Sequence, residues 1–406
     1  MKDNRKVAQG IFAAFFVLII LAYPAANLII NGESLSEAIV ENIAEDEDLV
    51  QTLETTLEEE LLFRNELVEL YGLLNIVQGK KEDNSFDTLK DKNNMLFNGN
   101  FWKGYGDDQK ELAVRTRRLY DRLTAEGTQM GVVIYPMKVA DKENRYYGLP
   151  YDDYSEIAEE YFRWIRYYGV PLLDLQNICE ACGLTTQEAF FRTDHHWTPG
   201  AAFEGYTRIV EWMNEEFQAD LDPDYVLRSL DSYEQITYEN AMFGSEGRDV
   251  GMVFAGGMED FTVIYPREEG SYTLTRGTLK EQKTYSGSFE EALLELENLP
   301  KASGMVYSAV AESVYLHNGV DRYVSIVNHE APTDRNILLL RDSYSTPVGA
   351  FLAQSFAQVD MLWLLEVDEE ELDAYLNENH YDYVVVALYN MNLSEQAFPF
   401  GMAEEE

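Results

Sequence analysis

A repeated alternation of short apolar runs with helical segments constrains the fold more than any other feature of this sequence. Segments with helical spacing of apolar residues include Glu111–Gly127, Tyr154–Tyr168 and Glu369–Asn379. The runs predicted to be buried strands are Met130–Tyr135, Val170–Leu175, Asn336–Leu340, Val359–Leu365 and Tyr383–Leu388. Strands that are apolar on both faces are typical of a parallel sheet covered by helices on each side. The pattern therefore predicts an α/β fold with a parallel central sheet.

Residues 215–330 depart from this alternation. They are rich in Tyr, Gly, Thr and charged residues, and they contain short alternating stretches such as Phe261–Tyr265 and Ser271–Leu274. Alternation with a period of two indicates half-buried strands. We predict that residues 215–330 are a β-rich insertion within an α/β domain that spans residues 76–406.

The N-terminus carries a long apolar segment. Three basic residues among the first six precede the run Ile11–Ile30, and acidic residues follow it. A helix of about 20 apolar residues crosses the hydrocarbon core of a bilayer, and a basic flank stays in the cytoplasm. We predict a cytoplasmic stub and single transmembrane anchor over residues 1–31, with the rest of the chain extracellular. A cleaved signal peptide is the alternative, since Ala22–Ala26 offers small residues for cleavage. In either case the rest of the chain is exported.

Residues 32–75 follow the predicted anchor. Their leucines recur mostly at three- and four-residue steps among many glutamates, and no proline interrupts them. This spacing predicts a juxtamembrane helical segment. It serves either as a stalk at the membrane or as a helix packed on the edge of the domain.

The charge balance excludes one class of partner. The 406 residues include 31 Lys and Arg against 73 Asp and Glu, a net charge of −42. Such a field repels nucleic acid and other polyanions. We therefore predict no nucleic-acid binding, and we favour a neutral polymer over a strongly anionic one as a partner.

The densest polar cluster of the sequence is Thr193–Gly200. In an extended segment alternate side chains share a face, so we expect Asp194 and His196 on one face and His195 on the other. A carboxylate that accepts the proton of one ring nitrogen makes the other nitrogen a base. Trp197 would cover the pair and limit access of water. A structural Asp–His pair and a metal-ligand set are the alternatives.

A base needs a nucleophile, and Ser343 is the best candidate. It follows the predicted strand Asn336–Leu340 and precedes a helix. A turn of this kind exposes a hydroxyl at the carboxyl edge of the sheet and offers backbone N–H groups to an oxyanion. A helix-capping role for the neighbouring Ser345 or Thr346 is the alternative for this segment.

The stretch FFRTDHHWTPGAA, residues 190–202, closely resembles the signature of the DHHW family. This family is related to the alginate O-acetylation proteins of the SGNH hydrolase superfamily. Further segments resemble the family in the same order along residues 91–390: Asp91–Phe97, Tyr135–Lys138, Phe243–Gly251, Leu339–Tyr344 and Tyr381–Val386.

The resemblance implies an SGNH-like three-layer α/β/α fold and a Ser–His–Asp triad. Carried onto this chain, the nucleophile is Ser343, the base is His196 and the orienting carboxylate is Asp194. It implies an extracytoplasmic O-acetyltransferase or acetylesterase that acts on a cell-surface polysaccharide. A membrane-bound O-acyltransferase is then a candidate partner. We predict neither a metal nor a cofactor.

Five residues around the triad are candidates for substrate contact: Trp197, Arg341, Tyr344, Lys138 and Asn390. Arg341 stands where the family often has a glycine, so it would narrow the turn or bring a cation to the site. The backbone N–H of Ser343 is the safest oxyanion donor. Lys138 and Asn390 are further candidates for that role.

Two other functions remain open from the sequence. A non-catalytic carbohydrate-binding or scaffold protein of a cell-envelope polysaccharide assembly would use the abundant aromatic residues, among them Trp102, Trp164, Trp197 and Trp212, to line a saccharide groove. A metal-dependent hydrolase would use Asp194, His195 and His196 as ligands.

The two cysteines, Cys179 and Cys182, form a C-x-x-C spacing. The surrounding chain lacks the other parts of a thioredoxin-like domain, which disfavours redox catalysis. A zinc ion bound by both cysteines and by His195 and His196 would have the four ligands that it needs, but adjacent histidines rarely both reach one tetrahedral ion. We favour a local disulfide or two inert thiols.

Overall fold

An eight-stranded mixed sheet forms the centre of the fold in a computed structural model, which describes residues 2–32, 34–36, 39, 56, 61–83, 86–99, 108–151, 155–278, 281–318 and 320–402. In spatial order its strands are β5 (Leu172–Asp174), β4 (Gln129–Tyr135), β13 (Tyr383–Tyr389), β11 (Asn336–Arg341), β12 (Gln358–Trp363), β10 (Tyr323–Asn328), β8 (Tyr272–Gly277) and β9 (Gln282–Gly287).

The first five strands of this order are parallel and coincide with the five predicted apolar runs. The other three are antiparallel: β10 pairs with β12 and β8, and β8 pairs with β9. The five predicted strands are therefore parallel as expected, but the complete sheet is mixed rather than parallel. Part of the predicted insertion, residues 215–330, supplies the three extra strands and widens the central sheet. Antiparallel edge strands keep one face partly exposed, which explains their alternating sequence.

Helices cover both faces of the sheet. The helices whose bounds the structure describes, on the sheet and elsewhere along the chain, are α1 (Lys2–Ile30), α2 (Arg64–Val77), α3 (Gln109–Ala125), α4 (Ser155–Tyr168), α5 (Ile178–Cys182), α6 (Thr186–Ala189), α7 (Pro199–Phe217), α8 (Ser245–Val250), α9 (Met252–Ala255), α10 (Phe289–Leu293), α11 (Ser345–Leu352) and α12 (Glu369–Glu378). Short 3₁₀ turns lie at Leu230–Ser232, Leu299–Gly304, Leu364–Glu366, Asn390–Asn392 and Glu395–Ala397.

Alternate residues of each parallel strand point into two separate cores. On β11, Leu338 and Leu340 pack in one core with apolar residues of α3, α4 and α12. Ile337 and Leu339 pack in the other core with residues of α7 and α11. This is the layer arrangement expected for an α/β domain whose strands are apolar on both faces.

Two smaller sheets complete the description. Strands β1 (Glu82–Asp83), β2 (Thr88–Lys90) and β3 (Leu96–Asn98) form one of them. The other is the antiparallel pair of β6 (Tyr233–Met242) and β7 (Glu259–Pro266), which loses its register between Tyr238 and Met242. The chain after that irregularity leads into α8, which contributes to the candidate site.

The chain divides into two compact units, Met1–Tyr71 and Gly72–Glu406. Within the first, the hydroxyl of Tyr23 donates to the carbonyl of Leu62 at 2.5 Å, and the N–H of Leu62 donates to Oδ1 of Asn27 at 2.8 Å. Among the residues that the structure describes, none of the helices combines the length and apolar character that crossing a membrane requires. The anchor over residues 1–31 stays a prediction.

Two of the sequence predictions fall outside the described residues. Most of the predicted juxtamembrane helix, residues 32–75, lies there, although its end is helical from Arg64. Trp102, one of the aromatic residues assigned to a saccharide groove, also lies there.

Candidate active site

Ser343 lies in the turn between β11 and α11, at the carboxyl edge of the parallel strands. The preceding residue holds this turn. Oδ1 of Asp342 accepts the N–H of Tyr344 at 3.1 Å, and its Oδ2 accepts the N–H of Tyr389 at 2.5 Å and Nδ2 of Asn392 at 2.8 Å. Burial raises the pKa of Asp342, and the three hydrogen bonds oppose that rise. Asp342 thus fixes the serine turn to the end of β13.

The imidazole of His196 joins Ser343 to Asp194. Its Nε2 lies 2.7 Å from Oγ of Ser343, and its Nδ1 lies 2.6 Å from Oδ1 of Asp194. The same Oδ1 accepts the backbone N–H of His196 at 2.9 Å. Asp194 is buried, whereas the side chain of His196 is 26% exposed. The structure therefore brings the three predicted triad residues together in the order that a general base requires.

A second segment holds the other oxygen of Asp194. The N–H and the hydroxyl of Ser245 donate to Oδ2 at 2.8 and 3.0 Å. The residue before it, Gly244, lies so close that a Cβ there would sit 2.2 Å from Cβ of Asp194. Sequence reasoning assigned no role to either residue. The only signal was the segment Phe243–Gly251, which was noted for its resemblance alone.

Glu259 of β7 fixes the chain just before Asp194. Its Oε2 accepts the N–H of Arg192 at 2.7 Å, and its Oε1 accepts the N–H and hydroxyl of Thr193 at 2.8 and 2.6 Å. Nothing in the sequence linked β7 to the histidine segment. These hydrogen bonds hold the two residues before Asp194 and so help to place its carboxylate.

The electrostatics of the site favour an ionised Asp194. Burial would raise the pKa of its carboxyl, but His196 and His195 lower it well below the usual range. Burial would lower the pKa of His196, but the Asp194 carboxylate, and the fields of Glu312 and Asp342, raise it above the ordinary value. A neutral imidazole in this site is therefore a stronger base than free imidazole.

We predicted that His195 points away from Asp194, and this prediction is wrong. Its Nδ1 lies 3.6 Å from Oδ1 of Asp194, and its ring lies 4.0 Å from the ring of His196. The segment bends from Arg192 to His196 and is not a regular strand, so the alternation that we assumed does not apply.

The same three residues are also a candidate metal-ligand set. Ligand atoms of Asp194, His195 and His196 lie within 4.8 Å of one another. Oδ1 of Asp194 accepts hydrogen bonds from His196, and Oδ2 accepts two from Ser245. An ion would have to displace these donors.

Lys138 contacts the backbone of the segment of residues 192–196 and does not line the cavity beside Ser343. Its buried ammonium donates to the carbonyl of Asp194 at 2.7 Å, to the carbonyl of Arg192 at 3.4 Å and to Oε2 of Glu246 at 3.0 Å. Burial raises the pKa of Glu246 to about 7, although Lys138 opposes the rise. Because these acceptors occupy the ammonium, Lys138 does not serve as an oxyanion donor in this arrangement.

Of the other candidate contacts, Tyr344 and Trp197 adjoin the triad. The hydroxyl of Tyr344 donates to the carbonyl of His195, and Nε1 of Trp197 donates to the carbonyl of Tyr344 at 3.2 Å. The ring of Tyr344 lies 4.9 Å from that of His196. Tyr344 is fully buried and supports the imidazole, whereas Trp197 lines the cavity described below.

Arg341 and Asn390 do not line that cavity. Arg341 is fully buried; its guanidinium lies over the ring of Trp363 and donates to the carbonyl of Asp321 at 2.9 Å. Burial lowers its pKa to about 10. Nδ2 of Asn390 donates to Oε1 of Gln176 at 3.0 Å. The expectation that Arg341 brings a cation to the nucleophile is therefore wrong, because its side chain packs against β12.

A cavity of about 240 Å³ opens beside Ser343. Its lining includes the three triad residues, and the others are Phe191, Trp197, Pro199, Met242, Phe261, Ala311, Glu312, Tyr315, Asn318, Val320, Thr346 and Pro347. Trp164 and Trp212 are not among them. This cavity is therefore not the predicted saccharide groove lined by several tryptophans.

Cys179 and Cys182 are free thiols, and both lie in α5, which ends at Cys182. Burial raises the pKa of Cys179 to about 11 and also raises that of Cys182. Reactive cysteines have a lowered pKa instead. Within the described residues the candidate metal-ligand set includes neither cysteine. The two thiols therefore fit the inert alternative.

Comparison with known proteins agrees with this fold. Residues 105–232 match the family model described as SGNH hydrolase-like domain, acetyltransferase AlgX. The structure of Bacillus cereus PatB1 with a sulfonyl adduct is similar, with a TM-score of 0.57 and 18% identity over 77% of this chain and 97% of that one. A DHHW family protein from Eubacterium siraeum has a TM-score of 0.52 and 16% identity over 76% and 96%.

No protein of curated function matches the chain significantly by sequence. The family model and the structural likenesses confirm the resemblance to the DHHW family and the alginate O-acetylation proteins. They also confirm an SGNH-like α/β fold, here with a mixed sheet. At identities of 16 to 18%, the structural likenesses show the fold alone.

Proposed function

We propose that this protein is an extracytoplasmic, serine-dependent O-acyltransferase or esterase that acts on acyl esters of a cell-surface polysaccharide. The observation that carries the proposal is the hydrogen-bonded series from Ser343 through His196 to Asp194, at 2.7 and 2.6 Å, beside an open cavity. The match to a family model described for an acetyltransferase supports acyl transfer as the chemistry, with acetyl as the acyl group that the resemblance implies.

In the first half-reaction, Oγ of Ser343 attacks the carbonyl carbon of an ester while Nε2 of His196 takes the hydroxyl proton. The bond from carbon to Oγ forms, and the bond from carbon to the alcohol oxygen breaks. The proton on Nε2 passes to the departing alcohol. Asp194 accepts the hydrogen bond of Nδ1 throughout and stabilises the imidazolium that exists between the two proton transfers.

In the second half-reaction, water or a sugar hydroxyl attacks the acyl-serine. His196 takes the proton of the attacking group, and the bond from carbon to Oγ breaks, which returns the proton to Ser343. Attack by water gives a carboxylic acid and an esterase, and attack by a sugar hydroxyl gives an acylated glycan and a transferase. The triad serves both outcomes with the same geometry.

The backbone N–H of Ser343 is the donor that we assign to the oxyanion. None of the hydrogen bonds within the described residues uses this group, and it belongs to the residue whose oxygen attacks. An N–H held by the folded turn needs no reorganisation when charge develops on the carbonyl oxygen. Asp342 fixes the turn and so fixes the direction of this donor.

The exported location and the anchor over residues 1–31 belong to the same proposal. They are supported by the basic flank and the apolar run that follows it. A tethered enzyme outside the cell faces envelope polysaccharide, and a membrane-bound O-acyltransferase is the partner that would supply acyl groups to it.

The proposal is tested by labelling with a fluorophosphonate probe, which reacts with activated serines. We expect the wild-type protein to be labelled on Ser343, and Ser343→Ala and His196→Ala to abolish labelling. Ser286→Ala, which changes an exposed serine of β9, should be labelled like the wild type. Equal labelling of the wild type and Ser343→Ala, or none in any of them, would contradict the proposal.

A metal-dependent hydrolase is the second candidate, because the ligand atoms of Asp194, His195 and His196 lie close together. The two functions differ in their dependence on His195. Metal ligation predicts that His195→Ala and removal of divalent ions by a chelator both abolish ester hydrolysis. The triad predicts that neither abolishes hydrolysis and that Ser343→Ala does.

A further inference from the structure

We infer that the cavity beside Ser343 is an acyl-binding site that takes an apolar acyl chain longer than acetyl. This inference rests on the proposed function, and for the acyl group of its first half-reaction it replaces the acetyl that the resemblance implies by a longer chain. The cavity volume of about 240 Å³ is the first observation. A cavity of about 150 Å³ lined by hydrocarbon binds benzene, a six-carbon molecule. An acetyl group would leave most of the present cavity empty, whereas a chain of about six carbons fits within it and, by the same ratio, one of about ten carbons fills it.

Two large aromatic side chains of the lining, Tyr315 and Trp197, turn their polar atoms away from the cavity. The hydroxyl of Tyr315 accepts the N–H of Ile264 at 3.0 Å and donates to its carbonyl at 2.9 Å. Nε1 of Trp197 donates to the carbonyl of Tyr344. Both side chains have one polar atom, and in both it is bound to the backbone. The surface that Tyr315 and Trp197 give to the cavity is therefore hydrocarbon.

Most of the remaining interior wall is apolar as well, and Thr346 is its buried polar residue. The rings of Phe191 and Phe261 stack at 5.7 Å, and both are buried, as are Met242 and Ala311. Such a surface gains free energy when it covers a hydrocarbon chain instead of water.

Glu312 is the charged side chain of the lining outside the triad, among the described residues. Its two carboxylate oxygens accept from the guanidinium of Arg248 at 2.6 and 3.0 Å. This bidentate pair satisfies the carboxylate from behind, so Glu312 does not require a partner from the substrate.

The acyl half of the ester, and not the alcohol half, suits this cavity. A sugar ring carries several hydroxyls, and each one loses its hydrogen bonds to water when it enters an apolar site without a partner. The mouth is formed by the exposed residues Asn318 and Val320. We place the alcohol there, in contact with solvent, where His196 can protonate its oxygen as the bond to the acyl carbon breaks.

The test compares 4-methylumbelliferyl acetate, butyrate, hexanoate and hexadecanoate as substrates of the full-length protein. Burial of each added methylene should raise kcat/KM about threefold to fourfold from acetate to hexanoate, and this gain per methylene should be lost for hexadecanoate because its chain exceeds the cavity. Each value is divided by the alkaline hydrolysis rate of the same ester to remove differences in intrinsic reactivity.

Two matched variants connect the chain-length preference to the cavity. Val320→Phe enlarges an exposed valine at the mouth, and Val226→Phe enlarges another exposed valine outside the lining. We expect Val320→Phe to lower the ratio of hexanoate to acetate turnover at least fivefold, and Val226→Phe to leave it unchanged. Ala311→Leu, which fills the interior, should lower the same ratio further.

The outcomes separate this inference from the proposed function. Ser343-dependent hydrolysis that is fastest with acetate would overturn the acyl-site inference and leave the esterase proposal intact. A preference for hexanoate that Val320→Phe and Val226→Phe leave equally unchanged would place the acyl chain elsewhere and overturn the inference too. Hydrolysis of none of the esters, together with no labelling of Ser343, would overturn both.

Discussion

At the scale of single residues, His196 is subject to two opposing influences. Burial favours the neutral imidazole, whereas the Asp194 carboxylate at 2.6 Å favours the imidazolium and prevails. Its pKa therefore lies above the ordinary value for imidazole, about 6.5. Because a general base must be unprotonated, activity should increase as the pH rises through this raised pKa.

The first prediction concerns the pH dependence of fluorophosphonate labelling. For the wild type we expect a rate that rises with pH and has its midpoint above about 6.5. Asp194→Asn removes the largest influence that raises the pKa of His196 and leaves the burial that lowers it, so the midpoint should move to lower pH. The limiting rate should fall about 10³- to 10⁴-fold, since the amide selects the wrong tautomer. Identical midpoints in the two proteins would show that Asp194 does not set the pKa.

The second prediction concerns Gly244. A Cβ at this position would lie 2.2 Å from Cβ and 2.6 Å from Oδ2 of Asp194. Gly244→Ala must therefore displace the carboxylate, lower esterase kcat at least tenfold and reduce the free energy of unfolding by about 1–3 kcal/mol.

Gly304→Ala is the matched control for Gly244→Ala. A Cβ at Gly304 would meet no atom within 4 Å, so this variant should keep the activity and stability of the wild type. The close contact at Gly244 would be irrelevant to function if both alanine variants had wild-type kcat.

At the scale of secondary-structure elements, the strands and helices were more predictable than the loops. The five parallel strands coincide with the apolar runs because burial on both faces leaves a continuous signal in the sequence. The start of α7 at Pro199 was predictable from the capping pair Thr198 and Pro199, and Thr198 does accept the N–H of Ala201.

Contacts distant in sequence were not predictable. Ser245 and Glu259 bind the segment around Asp194 through hydrogen bonds that span more than 50 residues. A single sequence records that these residues are polar but not which chain segments meet. The buried position of Arg341 was missed for the same reason, since the carbonyl of Asp321 and the ring of Trp363 that surround it come from elsewhere.

The third prediction concerns Glu246 of α8, which joins this helix to Lys138 after β4. Burial raises its pKa to about 7, from about 4.3 in an unfolded chain. Between pH values of about 4.3 and about 7 the Glu246 carboxyl is therefore protonated in the folded state and ionised in the unfolded state. The free energy of unfolding should thus fall as the pH rises from about 4.3 to about 7.

Urea denaturation of the wild type and of Glu246→Gln at pH 5 and pH 8 measures this effect. Relative to the Gln variant, the wild type should lose on the order of 3 kcal/mol between the two pH values. Glu378→Gln, which changes an exposed glutamate at the end of α12, should follow the wild type at both. A difference between wild type and Glu246→Gln that does not change with pH would mean that Glu246 stays ionised.

At the scale of the whole molecule, the candidate site is assembled from segments that are far apart in sequence. Asp194 and His196 precede α7, Ser245 begins α8, Glu312 lies before β10, and Ser343 follows β11. The strand β11 places the nucleophile at the carboxyl edge of the parallel strands, where ligands of α/β folds commonly bind. The three strands that widen the sheet come from the same region as Ser245 and Glu312, so residues 215–330 contribute to the site as well as to the sheet.

The fourth prediction concerns the net charge of −42. So many like charges repel one another more strongly in the compact state than in the unfolded chain. Raising NaCl from about 0.01 to about 0.1 M shortens the screening length from about 30 to about 10 Å. We therefore expect Tm at pH 8 to rise by several degrees over this range. At pH 5 more carboxylates are protonated, so the repulsion is weaker and the same addition of salt should raise Tm less. A Tm at pH 8 that falls or stays constant with salt would mean that local ion pairs, which salt weakens, outweigh the repulsion across the molecule.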